Sequence, residues 1–227
     1  MPIFCPVTLT TTRLTLRPLR EADAFAMFAI WSDFEAMRYF SFPPMTCIGQ
    51  ATERISRKIG TSAQGDELIF ALELQGTAEV IGDCALFNSD ERNRRAEIGF
   101  SLARRRWGYG YMSEAATALL NHAFNTLGFR RIEGDVDPRN VASTRLLERL
   151  GFVREGLARE RWMVEGRVSD SALYGLLHSD FRKPTFTSDR YRVHIAPRDV
   201  GACRAVVRRQ REIARHNGMT LLRTGYS

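Results

Sequence analysis

Gly108 and Gly110 lie two positions apart, between an apolar segment and a stretch with apolar residues at helical spacing. The apolar segment, 96–103, is predicted to be a strand, and the stretch from Met112 onward is predicted to be a helix. Glycine lets the backbone approach a ligand closely and point consecutive N–H groups outward. A helix that begins at this point adds unpaired amides and the positive end of its dipole. Strand, glycine turn and helix start together predict a site for a phosphate group.

The residues that follow Gly110 narrow the kind of phosphate ligand. A Walker loop requires Lys and then Ser or Thr directly after its last glycine, and Tyr111 and Met112 stand there instead. A dinucleotide fingerprint has weak support: Ser113 is small enough for its third position, but no ribose-binding acid ends a following strand. A plain glycine-rich turn without a ligand stays open on this motif alone.

Composition limits the class of protein. The chain has 227 residues, 44% of them hydrophobic, which suits a sizeable core in one domain, or in one domain plus an extension. No apolar run is long enough to span a bilayer, and the first residues lack the features of a signal peptide, so we expect a cytoplasmic protein. The four cysteines lack C-x-x-C spacing and the four histidines lack ligand spacing, so no metal site is expected. No G-x-S-x-G elbow supports Ser–His hydrolase chemistry.

The basic charge is concentrated at the end of the chain. Residues 183–227 carry 10 Lys and Arg against 3 Asp and Glu, a net charge of +7 that equals that of the whole chain. Apolar residues in 199–216 follow helical spacing, with four arginines along one stripe, so we predict a basic, partly helical extension. It packs on the body or on a partner, attracts RNA or another polyanion, or is disordered.

Periodicity predicts an α+β order of elements with about seven strands. The strands are predicted at 12–17, 68–74, 80–87, 97–102 and 131–136 and, after a short strand opened at 152–153, as a hairpin at 160–163 and 169–177. The helices are predicted at 21–31, 34–40, 50–62, 112–127 and 140–150. Long antiparallel hairpins with helices interspersed indicate an α+β fold and not a doubly wound sheet.

A second motif lies between Asn140 and Gly156, where the sequence runs N-V-A-S-T-R-L-L-E-R-L-G-F-V-R-E-G. It resembles the N-x-x-S-x-R-L-L-E-R-L-G-F-x-x-E-G block of the RimJ/RimL branch of the GNAT acetyltransferases. The pattern R-x-x-G-x-G at the glycine turn resembles the loop with which GNAT enzymes bind the diphosphate of coenzyme A. Three further stretches resemble the opening strand, the fourth strand and the closing hairpin of that branch: 13–18, 96–100 and 166–170. The resemblance covers roughly 10–180, so we assign 1–182 to a GNAT domain and 183–227 to the extension.

The resemblance implies a GNAT-type mixed, mostly antiparallel sheet flanked by helices, in which one strand splays from its neighbour. The pantetheine arm of acetyl-CoA lies in that gap like an added strand, and one backbone amide there polarises the thioester carbonyl. The residues implied for coenzyme A are Phe100, Ser101 and Leu102 in the splayed strand, Arg105, Arg106, Gly108, Tyr109, Gly110 and Tyr111 around the loop, and Asn140, Ser143 and Arg145 in the later helix.

The chemistry that the resemblance implies is direct attack of a neutral amine on acetyl-CoA, with a base for the ammonium proton and an acid for the thiolate. Many GNAT enzymes use a Tyr four residues before the Gly-Phe pair as the acid, and Leu147 stands there in this chain. The branch implies Ser143, one turn earlier, as the substitute. Glu97 is our choice of base, directly or through a water. Trp162 and Tyr174 are candidates for the wall of the acceptor pocket.

Each candidate also has a purely structural interpretation. The alternatives are an N-cap for Asn140, a first-turn helix position for Ser143, an ion pair with Arg95 or Arg131 for Glu97, and core positions for Trp162 and Tyr174.

The sequence therefore predicts an acetyl-CoA-dependent N-acetyltransferase acting on a primary amine, either a protein N-terminus or a small molecule. Two alternatives come from other classes. The missing Tyr is compatible with a non-catalytic acyl-CoA-binding regulatory module, and the extension 183–227 with an RNA- or ribosome-associated protein. A homodimer is compatible with the sequence, and no membrane partner is expected.

Overall fold

The structure is a computed structural model that describes residues 4 and 6–181 and the backbone of 192–195. The remainder of the basic extension, with the helix predicted at 199–216, lies outside the described residues. The strands are β1 (Val7–Thr10), β2 (Leu14–Pro18), β3 (Leu68–Leu74), β4 (Val80–Asp90), β5 (Arg95–Leu102), β6 (Arg131–Val136), β7 (Val153–Val164), β8 (Arg167–Leu177) and β9 (Arg192–Ile195). The α-helices are α1 (Ala24–Trp31), α2 (Phe34–Met37), α3 (Ile48–Gln64), α4 (Tyr111–Asn125) and α5 (Val141–Arg149).

The strands form one sheet in the order β7-β8-β6-β5-β4-β3-β2-β1-β9. Every neighbouring pair is antiparallel except β5 and β6, which are parallel. The predicted α+β class with a mostly antiparallel sheet is therefore confirmed. The sequence does not predict β1 or β9, which pair with each other and have four residues each. A strand this short offers too few alternating positions for its period to be recognised.

The final hairpin differs from the predicted one. β7 is one strand of 12 residues, where the sequence predicts two separate pieces. Its register with β8 shifts between Ala158 and Trp162, and Glu160 has a φ of 50°. A bulge of this kind interrupts the alternation of side chains between the two faces, so the sequence pattern ends although the strand continues.

The sheet separates two apolar clusters, and successive residues of β5 point to opposite sides. Ala96 and Ile98 belong to the cluster under α4 and α5. Glu97 and Ser101 lie on the other face, where α1 and α3 pack a second cluster against β3 and β4. No α-helix in the described part of the chain is long and apolar enough to cross a bilayer.

A buried ion pair joins β2 to the turn that precedes α1. The Arg17 guanidinium donates two hydrogen bonds of 2.8 Å to Asp23 and one of 2.6 Å to Glu73 on β3. The side chains of Arg17 and Asp23 are only 8% and 5% exposed. Removing one partner of such a pair leaves an uncompensated charge in the interior.

We expect Arg17→Met to lower the free energy of unfolding by about 3–5 kcal/mol, because Asp23 loses its buried partner. Chemical denaturation measures the change. Arg38→Met is a matched control, because Arg38 pairs with Glu35 at 3.6 Å where both side chains are about half exposed, and such pairs are worth about 0–1 kcal/mol. Equal losses in the two variants would contradict the role of the buried pair.

Candidate functional site

The parallel strands β5 and β6 hydrogen-bond to each other only near their beginnings. The paired residues are Arg95 with Arg131, Ala96 with Ile132 and Glu97 with Glu133, and the two strands do not pair beyond these positions. β5 nevertheless continues to Leu102, paired with β4, and β6 continues along β8. The backbone polar groups of a strand alternate between its two edges. The gap beyond residue 97 therefore exposes donors and acceptors of β5 that a second extended chain can use.

Side chains of the splayed strand do not fill this gap. Phe100 and Leu102 are half-buried and pack against the cluster under α4. The Ser101 hydroxyl donates a hydrogen bond to Asp83, and both residues are buried. Burial raises the pKa of Asp83, although Lys58 and this hydrogen bond oppose the effect. The edge of β5 thus leaves backbone groups open to a ligand, while the side chains of Phe100, Ser101 and Leu102 pack in the interior.

The glycine loop presents a run of unpaired amides at the end of the gap. Gly108 and Gly110 both have a φ of 79°, and Gly110 is the N-cap of α4. Within the described residues, the backbone N–H groups of 108 through 113 donate to no acceptor. The first amide of α4 that donates a hydrogen bond is that of Glu114, and its acceptor is the carbonyl of Gly110. Six consecutive free donors at a helix start form a cradle for an anion.

Arginine side chains beside the loop are bound to carboxylates of the protein. Arg105 and Arg106 both donate to Glu79, Arg105 at 2.9 Å. Hydrogen bonds from Arg106 and then from Arg105 hold the pKa of Glu79 below its ordinary value. Arg104 pairs with Asp33 at 3.1 Å. An anion in the loop therefore meets backbone amides, and these guanidiniums are already neutralised.

The α5 helix begins beside the open end of the gap. The Asn140 side chain accepts a 3.1 Å hydrogen bond from the Ser143 backbone, which gives Asn140 the predicted N-cap role. Its amide NH₂ group and the Ser143 hydroxyl have no hydrogen-bond partner among the described residues, and Arg145 is an exposed cation without an ion pair there. Leu147 is buried over Gly134 on β6, so an apolar side chain stands at the position where the resemblance noted in the sequence implies a Tyr.

Glu97 stands on β5 where pairing with β6 ends, on the face opposite to α4. Its carboxylate accepts a hydrogen bond of 3.0 Å from Asn88, and it makes no ion pair within the described residues. Burial raises the pKa of Glu97, and the Asn88 hydrogen bond opposes that effect. Arg95 and Arg131, the ion-pair partners that the sequence suggests, both bind Glu133 instead. A carboxylate with a raised pKa is suited to accept a proton.

The two aromatic candidates lie on different faces of the sheet. Trp162 is 41% exposed, and its indole donates a 3.0 Å hydrogen bond to Ser171, on the face that carries Glu97. Tyr174 is only 3% exposed, lies in the core under α5 and donates to Glu148 at 3.2 Å. Tyr174 therefore has the core position that is the structural alternative for this residue. Its buried ring has little surface to offer an amine acceptor.

Two residues of this region give no signal in the sequence. Asn88 adopts a φ of 48° in the irregular part of β4, and Asp135 on β6 pairs with Arg161 at 2.9 Å beside Glu97. Neither belongs to a motif, and both are near Glu97 only because separate strands meet there. The described residues contain no group of three or more His, Cys, Asp or Glu side chains placed to hold a metal ion.

Comparison with known proteins relates these features to a family. Residues 13–153 match the family described as Acetyltransferase (GNAT) domain. The chain is 38% identical over 174 residues to Uncharacterized N-acetyltransferase p20 of Bacillus licheniformis, which covers 77% of this chain and 98% of that protein. It is 28% identical over 184 residues to the ribosomal protein uS5-alanine N-acetyltransferase of Escherichia coli (strain K12), with 77% and 93% covered. The solved structure of Mycobacterium smegmatis RimJ in complex with CoA-disulfide is similar with a TM-score of 0.69 and 25% identity, covering 78% of this chain and 89% of that one.

We expect the pKa of Glu97, followed by carboxyl-carbon NMR, to lie above the ordinary glutamate value of about 4.3. Asn88→Gly should raise it further, because the hydrogen bond from Asn88 favours the charged form and glycine tolerates the φ of 48°. Asn93→Ala is the control, because Asn93 donates to Asp90 and not to Glu97. A lower pKa in Asn88→Gly would contradict this description.

Proposed function

The chain belongs to the GNAT acetyltransferase family, and from this premise we propose that it transfers an acetyl group from acetyl-CoA to a primary amine by direct attack. A bond forms between the amine nitrogen and the acetyl carbon, the carbon–sulfur bond breaks, the amine proton goes to a base, and the thiolate takes up a proton. The observation that carries the proposal is the run of six unpaired amides at 108–113 beside a strand with an open edge.

The residues of the gap and the loop fit coenzyme A. A diphosphate can be bound by several backbone donors that converge on it, and the amides of 108–113 provide such donors. A pantetheine arm carries amides that pair like a strand, and β5 from 98 to 102 offers unpaired backbone groups. Asn140 and Arg145 would contact the ligand from the start of α5, where the Asn140 amide NH₂ group and the Arg145 guanidinium have no partner among the described residues.

Glu97 is the base in this proposal. It lies where the gap closes, and burial raises the pKa of its carboxyl group. As the carboxylate it takes the proton of the attacking amine, directly or through a water. Asn88 holds the carboxylate through a 3.0 Å hydrogen bond, and Trp162 on the same face forms a wall for the acceptor.

Ser143 assists departure of the thiolate. Its hydroxyl has no hydrogen-bond partner in the part of the chain that the structure describes, whereas the neighbouring Thr144 hydroxyl donates to the Val141 carbonyl at 3.0 Å. Leu147, one turn further along α5, is buried and apolar. A thiol has a pKa of about 8.5, so its anion is a good leaving group. Protonation by Ser143 therefore increases the reaction rate only modestly.

The acceptor is a primary amine, and we propose a protein N-terminus as the first candidate. One relative is named for acetylation of the alanine of ribosomal protein uS5, at 28% identity. A small amine is the competing acceptor class, and a panel of N-terminal peptides and small amines separates the two. We also propose that the protein acts in the cytoplasm.

The division of the chain at residue 182 is part of the proposal. The family match ends at residue 153, and the net charge of +7 resides in 183–227. The backbone of Arg192–Ile195 pairs with β1, at the edge of the sheet far from the gap between β5 and β6. We therefore assign the extension no part in acetyl transfer.

We expect Gly108→Asp to weaken coenzyme A binding at least about 100-fold, because a carboxylate would face the diphosphate and like charges cost several kcal/mol. Calorimetry measures the affinity. Gly166→Asp is a matched control, because Gly108 and Gly166 have φ values of 79° and 76° and no atom within 4 Å of an added Cβ. Equal affinities in the two variants would contradict binding of the diphosphate by this loop.

We expect Ser143→Ala to lower kcat by about 10²-fold, the low end for acid–base assistance, with little change in the KM for acetyl-CoA. Thr144→Ala, which removes a neighbouring hydroxyl committed to the backbone, should leave kcat unchanged. An unchanged kcat in Ser143→Ala would mean that this serine only lines the gap.

The rate should fall as the pH drops through the raised pKa of Glu97, because only the carboxylate accepts a proton. Glu97→Gln should therefore lower kcat and remove that acidic limb from the pH–rate profile. An acidic limb that persists unchanged in Glu97→Gln would assign the base to another group.

A further inference from the structure

Arg13 reaches from the turn between β1 and β2 to the glycine loop. Its guanidinium donates a 2.7 Å hydrogen bond to Glu114 and a 2.9 Å hydrogen bond to the backbone carbonyl of Tyr109. It also stacks on the Tyr111 ring, 4.5 Å from the ring centre. One planar group thus contacts both sides of Gly110, and its Nη2 atom lies 3.6 Å from the position of an added Cβ at that glycine.

Glu114 holds Arg13 in this position. Its carboxylate accepts hydrogen bonds from the Thr11 hydroxyl at 2.7 Å, from the Arg13 backbone at 2.8 Å and from the Arg13 guanidinium. Burial raises the pKa of Glu114, but these hydrogen bonds outweigh the effect, so the pKa lies below its ordinary value. Glu114 is therefore an anion in the first turn of α4, and Arg13 neutralises it beside the loop.

The hydrogen bond to Tyr109 fixes the direction of an amide that has no acceptor. The Tyr109 carbonyl and the Gly110 N–H belong to one peptide unit, and in a trans peptide the two groups point in opposite directions. Because the Tyr109 carbonyl points to Arg13, the Gly110 N–H points away from Arg13. This N–H is one of the unpaired donors at 108–113.

We propose that Arg13, held by Glu114, is a positioning residue that turns the Tyr109–Gly110 peptide so that the Gly110 N–H faces the diphosphate of coenzyme A. This inference rests on the proposed function. In this role Arg13 acts through the peptide and not as a phosphate ligand: its Nε donates to Glu114 and its Nη1 donates to the Tyr109 carbonyl. The loop is then preorganised before the ligand arrives, which saves the free energy of ordering it on binding.

The test measures coenzyme A affinity by calorimetry and the Gly110 amide by NMR in the full chain and its variants. Arg13→Met should weaken binding roughly tenfold or more, the loss expected when a charge-assisted hydrogen bond no longer orders the site. The KM for acetyl-CoA should rise while kcat at saturation stays within about twofold, because a pure binding effect acts equally on ground and transition states. The Gly110 amide resonance should move in the variant without ligand.

Arg104→Met is the matched control. Arg104 also pairs with a carboxylate beside the loop, Asp33 at 3.1 Å, but among the described residues it donates to no loop carbonyl. The coenzyme A affinity and the Gly110 amide resonance of Arg104→Met should therefore match those of the unmodified chain. Arg13→Lys keeps the charge but loses the planar fork that reaches both acceptors. It should show the same weakening, and it serves as the test if circular dichroism shows Arg13→Met unfolded.

Two outcomes separate this inference from the proposed function. Normal binding by the unmodified chain, with equal affinity in Arg13→Lys and Arg104→Met, would overturn the positioning role alone. Absence of coenzyme A binding by the unmodified chain would overturn the proposed function and this inference together.

Discussion

The site depends on the limited pairing of two parallel strands. β5 and β6 share only three residue pairs, and each then continues with a different partner, β4 or β8. Unpaired backbone groups at a sheet edge attract another extended chain, and here they lie inside the molecule, closed at one end by Glu97 and leading to the glycine loop at the other. A ligand whose extended amide arm leads to a diphosphate would satisfy both ends at once, and coenzyme A has this shape.

The charges around the loop support the same interpretation. Arg13, Arg105 and Arg106 are paired with Glu114 or Glu79. In the proposed function, recognition of the diphosphate therefore depends on oriented peptide dipoles, which cost no side-chain entropy when the ligand binds. The paired side chains hold the loop in shape, and the indole of Trp107 adds a 2.9 Å hydrogen bond to the Leu102 carbonyl that joins the loop to the end of β5.

The parts of the site that local sequence encodes could be predicted. The sequence predicts that Gly108 and Gly110 form a turn before a helix, and both adopt a positive φ there. The sequence also predicts that Asn140 caps α5, because a polar residue before an apolar helical pattern is a local signal, and Asn140 does cap this helix. The fold class followed from the order of the elements.

The contacts made between distant segments could not be predicted. The Arg13–Glu114 pair joins residues 101 positions apart, and Asn88 reaches Glu97 through an irregular turn of β4 that no alternation encodes. Tyr174 illustrates the opposite difficulty: an aromatic residue in a strand has the same pattern whether it faces a ligand or the core, and only the packing of α5 decides. Which face a residue occupies depends on register, and register depends on the whole sheet.

A crystal structure of the chain with coenzyme A tests the central claim most directly. The account predicts that the diphosphate oxygens lie within hydrogen-bonding distance, about 2.7–3.2 Å, of backbone nitrogens in 108–113, with the pantetheine arm between β5 and β6. A coenzyme bound elsewhere on the chain, or a gap closed by pairing between β5 and β6 while the ligand is bound, would contradict it.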